Sequence, residues 1–130
     1  MPDSPTPPHP GPPQAGDSLA ELARLVLKFR EDRDWKQFHN PKDMGLSLSL
    51  EVNELLELMQ WRNGDELLAH LEAKKPEVGD ELSDVLGWVL LLASDLKIDL
   101  AEAFRNKIVK NEQKYPIEKA HGLAKKYTEL

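Results

Sequence analysis

Cysteine is absent from this 130-residue chain. Without thiols there is no disulfide framework, no cysteine nucleophile and no thiolate metal site. Long apolar runs are missing too. The greasiest stretch, VLGWVLLLA at 85–93, is well short of the roughly 18 residues a membrane span needs, and reads as a buried helix segment. Positive charge is also scarce: 17 Lys and Arg face 23 Asp and Glu, a net charge of −6. That balance argues against non-specific nucleic-acid binding, and no basic patch interleaved with aromatics reverses it. An anionic substrate would have to be held by metal or by a few local cations. No stretch alternates apolar and polar residues as a half-buried strand does, and no internal repeat is present. A cytoplasmic protein without a membrane or nucleic-acid partner is the expectation.

The length suits one domain with a real core. Residues 1–17, MPDSPTPPHPGPPQAGD, hold seven of the ten prolines, the others being Pro41, Pro76 and Pro116. They lack the charged start and apolar run of a secretory signal, and the arginines of a mitochondrial presequence. A disordered, partly polyproline-II tail is expected there. It could serve as a proline-motif ligand, although no clear basic flank supports that. The domain then occupies 18–130.

Within it, helical periodicity dominates. Leu19, Leu22, Leu25, Val26 and Phe29 mark a first helix, with Ser18 or Asp17 available as its cap. Asn40-Pro41 fits the cap and first position of a second long helix, predicted to run to about 62 and to stop at Asn63-Gly64. A short helical piece, DELLAHLEA, leads to Pro76, which opens a third long helix reaching about Lys97. Asp99 with Glu102 forms a capping-box pattern for a fourth, ending near Tyr115-Pro116. Four helices with short connections indicate an all-α fold of the four-helix-bundle type.

The second and third long helices carry acids in the wrong places. Glu54 falls on the wheel between Leu50, Leu58 and Trp61, and Glu51 lies one turn earlier. Glu81 and Asp84 share a face, with Trp88 between them and Leu91 and Leu92 on either side. Carboxylates normally sit opposite the apolar stripe, because an unpaired buried charge is costly. Taken singly, an E-x-x-E pair is most often solvated surface. Two such pairs among leucines, on helices that could lie antiparallel, would converge four carboxylates. Some must then protonate, or a hard divalent cation must neutralise them. All-oxygen ligation favours magnesium, manganese or calcium. The di-iron bundle sites need Glu-x-x-His pairs, which neither helix supplies. Magnesium is therefore preferred.

These residues carry a family resemblance. The chain resembles the MazG-like all-α nucleoside triphosphate pyrophosphohydrolases, and within them the dCTP pyrophosphatase branch. The family signature, E-x-x-E, spacer, E-x-x-D, reads here Glu51-Val52-Asn53-Glu54, 26 intervening residues, then Glu81-Leu82-Ser83-Asp84. FREDRDWKQFHNPKD, ELLELMQW, ELSDVL, KIVKNEQKYP and KKYTEL extend the likeness over about 19–130. The resemblance implies magnesium-dependent (or manganese-dependent) cleavage between the α and β phosphates. It places Glu51, Glu54, Glu81 and Asp84 as metal ligands and catalytic groups. Lys107 and Asn111 match nucleotide-contacting positions, and Trp35 and Trp61 match aromatic positions around the base. Without the family, Lys107 would read as a solvated helix lysine and Trp61 as core. Glu57, one turn past Glu54, could orient water or be merely solvated, and Tyr115 reads first as packing at a helix end.

Two departures bear on the base. The branch often has a histidine where this chain has Val26, and a tyrosine where it has Trp88. Val26 cannot hydrogen-bond a base edge, and Trp88, a candidate substrate contact, offers only a donor. His39 could compensate, although a loop or cap role is the plainer reading. The expected function is house-cleaning hydrolysis of dCTP or a modified dCTP. The alternatives are the same chemistry on dUTP or a broad NTP range, and a non-catalytic helical interaction module that binds metal structurally. Phosphoribosyl-ATP pyrophosphohydrolases are a poorer match, because the tryptophan-bearing segments point elsewhere. A homodimer or homotetramer is expected, both from the resemblance and because the third long helix is apolar nearly all round.

Overall fold

The computed structural model describes residues 18–130; the expected proline-rich tail, 1–17, lies outside them. Ser18 caps helix α1 (Leu19–Asp32), its hydroxyl accepting from the Glu21 N–H at 3.2 Å. A short 3₁₀ turn at Lys36–Phe38 follows. Asn40 then starts α2 (Pro41–Glu57) by accepting from the Asp43 N–H at 2.9 Å. Pro41 sits in the first turn, where its missing N–H would have had no helical partner.

The second helix ends earlier than its apolar pattern predicts. After Glu57 the chain tightens: the Leu58 N–H donates to Leu55 at 3.2 Å and the Met59 N–H to Leu56 at 2.9 Å, three-residue spacings in place of four. Trp61 then adopts a left-handed φ of 67°. Asn63 and Gly64 do not stop α2; they open α3 (Gly64–Ala73). Only Lys74 separates α3 from α4 (Lys75–Asp95), whose first turn contains Pro76. Asp99 caps α5 (Leu100–Lys114), accepting from the Glu102 N–H at 3.1 Å. A short α6 (Ile117–Ala120) and a final 3₁₀ turn at Tyr127–Glu129 complete the chain.

The architecture is all-α, with no strand among the described residues. Helix α4 is the central member. It packs along α2, is crossed by α1 and touches α3, whereas α5 packs much less extensively. Met44 of α2 and Leu90, Leu91 and Ala93 of α4 form the buried core. On α1, Val26 rests on α4 beside Gly87, where an added Cβ would meet Val26 Cγ2 at an ordinary 3.7 Å. Helices α2 and α4 run antiparallel: Glu54 meets Glu81, Glu51 meets Asp84, and His39, just before α2, meets Trp88. No helix among the described residues is long and apolar enough to cross a membrane.

Candidate active site

The antiparallel pairing of α2 and α4 brings the acid pairs face to face. Carboxylate oxygens of Glu51, Glu81 and Asp84 lie within 4.8 Å of one another. Glu54 is outside that closest group but near enough to both Glu51 and Glu81 to raise their carboxyls. Glu51 and Glu81 each bury one oxygen, Oε2, that has no hydrogen-bond partner. Burial pushes the Glu81 carboxyl up to about 7, helped by the neighbouring Glu54 and by the charges of Glu51 and Asp84. Burial is also the leading cause that raises Glu51, followed by Glu54 and Asp84; the neighbouring Trp88 indole opposes the rise. Such a group is charge-frustrated by itself and must take up protons or a cation.

The fit to a hard divalent cation is good. The donors are carboxylate oxygens alone, two of them buried and unpartnered, which suits magnesium, manganese or calcium better than zinc or copper. No histidine belongs to the group, so the Glu-x-x-His pattern of di-iron bundles is not formed.

Of the remaining candidate residues, Trp88 borders this cluster. Trp35 is partly exposed and meets Phe29 edge-on, with ring centroids 5.7 Å apart. Trp61 is 89% exposed, which corrects the core position that its helical spacing suggests. Because α2 stops at Glu57, Trp61 leaves the helical wheel on which that position was read. Trp88 lies half-buried between Glu51 and His39. Lys107 and Asn111 sit on α5 and make no ion pair with the acids among the described residues. Tyr115 packs edge-on against Tyr127 at 6.2 Å, in keeping with a packing role. Glu57 is exposed at the end of α2.

Sequence reasoning missed a pair that joins α1 to α4. Arg30 and Asp95, 65 residues apart, are joined through two hydrogen bonds of 2.8 and 2.7 Å. The available signal was a charge on each inner helical line: Arg30 four residues after Val26, and Asp95 four after Leu91.

An all-helical domain that converges acids from two antiparallel helices presents the oxygen donor set that a hard divalent cation takes. The description "MazG-like family" matches residues 46–130. The dCTP pyrophosphatase 1 of Mus musculus is 39% identical over 115 residues, spanning 87% of this chain and 68% of that protein. The Homo sapiens protein of the same name is 37% identical over the same shares. Among solved structures, a pyrophosphatase from Archaeoglobus fulgidus is 43% identical with a TM-score of 0.72, covering 75% of this chain and 92% of that one. The chain belongs to the MazG-like family.

Proposed function

We propose that this nucleoside triphosphate pyrophosphohydrolase converts dCTP, or a base-modified dCTP, and water to dCMP and pyrophosphate, with Mg2+ as its cofactor and house-cleaning of the nucleotide pool as its role. The observation that carries the reading is the pair of buried, unpartnered oxygens on Glu51 and Glu81 beside Asp84. The dCTP pyrophosphatase relatives support the choice of substrate.

In this reading Glu51, Glu54, Glu81 and Asp84 hold Mg2+, with Mn2+ as the alternative ion. When bound, the metal supplies charge neutralisation of the triphosphate and a lowered pKa for the attacking water. Glu54, which faces both Glu51 and Glu81, completes the converged set of acids. Lys107 offsets phosphate charge as a compact cation, and Asn111 contacts the nucleotide. Trp35, Trp61 and Trp88 offer aromatic surface to the base, where stacking contributes about 1–3 kcal/mol per base. Assembly as a homodimer or homotetramer covers the apolar faces that one chain leaves open.

A second reading, the same chemistry on dUTP or a broader NTP range, has one observation in its favour. Val26 lies against Gly87 and has nothing to offer a base edge, and Trp88 can only donate. Pyrophosphate release from dCTP, 5-methyl-dCTP and dUTP, with and without Mg2+, tests both. Turnover is expected only with Mg2+ and fastest on a cytosine nucleotide, and Glu54→Gln should lower it about 10- to 100-fold. A dUTP-first ranking would select the second reading. No turnover from folded protein whose melting temperature still rises with Mg2+ would leave a non-catalytic metal-binding module.

A further inference from the structure

A chain of contacts begins at a buried ion pair and ends on the carboxylate cluster. Arg30 is 4% exposed, and its Nη1 and Nη2 donate to the two oxygens of Asp95 at 2.8 and 2.7 Å. This forked geometry fixes the plane of the guanidinium. The same Nη1 lies 3.5 Å from Nδ1 of His39. A guanidinium has no acceptor, so Nδ1 must accept and the ring proton sits on Nε2. Burial, then the charge of Arg30, holds His39 below the ordinary histidine value against the pull of Asp95, which keeps the imidazole neutral in that tautomer. The His39 ring meets the Trp88 ring edge-on, with centroids 5.1 Å apart and planes at 62°. The Trp88 indole in turn lies against the Glu51 carboxylate, close enough to favour its ionised form.

We propose that His39, locked by the Arg30–Asp95 pair, is a positioning residue that braces the Trp88 indole and, through it, holds the Glu51 carboxylate ready for a divalent cation. The inference rests on the reading of Glu51 as a metal ligand, not on which nucleotide is cleaved. The need for a brace is electrostatic. Glu51 faces Asp84 and Glu54, whose charges favour its swinging away while no cation is bound. The Trp88 indole beside it opposes that swing, and it can do so only if the indole is itself prevented from turning. His39 closes that path on one side. It is in turn fixed by a guanidinium with no freedom of its own. Trp88 therefore serves the metal ligands in addition to any contact with a base.

The test is equilibrium Mn2+ binding to the full chain, read from the electron paramagnetic resonance signal of the free ion. The variants are His39→Ala, Trp88→Phe and the double variant, each also melted without metal. His39→Ala and Trp88→Phe should each weaken Mn2+ binding about 10- to 100-fold, as removal of a ligand's outer partner does. The double variant should bind no more weakly than Trp88→Phe alone, because both changes cut one path. Should His39→Ala lose cooperative unfolding, His39→Asn makes the smaller cut at the same point. Parental Mn2+ affinity in the folded His39 variant, or losses that add in the double variant, would overturn the brace while leaving the metal site standing. No Mn2+ binding by the parent chain would overturn the metal reading of Glu51 and the brace together.

Discussion

Glu81 is the residue at which convergence of the four acids is most visible. Its carboxyl titrates at about 7 in the folded chain, above the ordinary 4.5. The sign of the linkage follows. The folded state keeps a proton that the unfolded chain has already released, so this group's contribution is fully present below about 4.5 and is lost as pH rises through about 7. Asp95 and His39, both held below their ordinary values, act with the opposite sign, losing their contributions as pH falls. A comparison with Glu81→Gln therefore isolates Glu81. In chelator, the parent's melting temperature should fall relative to Glu81→Gln between about pH 4.5 and 7. Magnesium should reverse the fall at the upper end of that window, because the cation takes the place of the proton. Parallel curves for parent and variant would show that Glu81 is not frustrated. The acids were legible in the sequence because their three-residue spacing on apolar helices survives folding unchanged. Arg30–Asp95 was not, since nothing local pairs residues 65 apart.

Elements whose ends are chemically marked were read closely. Asn40-Pro41 and Asp99 start α2 and α5 as their residue types require, with side-chain oxygens accepting from Asp43 and Glu102. The end of α2 was not legible. The apolar residues Leu58, Met59 and Trp61 continue the helical period, but the chain must turn there to enter α3, and it does so through tightened bonds and a left-handed Trp61. The short α6 and the last 3₁₀ turn gave no periodic signal over so few residues. The cap of α5 makes a clear test at this scale, because that helix has little packing against the other helices to sustain it. Asp99→Ala should lower unfolding stability by about 1 kcal/mol, read as a shift of the urea midpoint at unchanged slope. Asp99→Ser, which restores an accepting oxygen, should recover most of the loss. Equal midpoints for the Ala and Ser variants would mean that the cap contributes nothing to α5.

For the molecule as a whole, the small buried core stands against a wide apolar surface. Leu25, Phe29, Leu50, Leu56, Phe104, Ile108 and Ile117 are all exposed, and they fall on α1, α2, α5 and α6. Soluble monomers rarely leave such faces uncovered, because apolar area in water is unfavourable in proportion to its extent. Helix α5, which carries Lys107 and Asn111, likewise packs little against the helices that bear the acids. A second copy laid against these faces would bury that surface. Light scattering at micromolar concentration should give twice or four times the chain mass of 14.7 kDa. Phe104, at 65% exposure, can accept a charge without disturbing the core of a single chain. Phe104→Lys should therefore shift the mass toward one chain, keep the helical signal and lose most pyrophosphate release, although no carboxylate of the cluster has changed. A parent chain that stays monomeric and active would show instead that one copy's acids and α5 suffice for the chemistry.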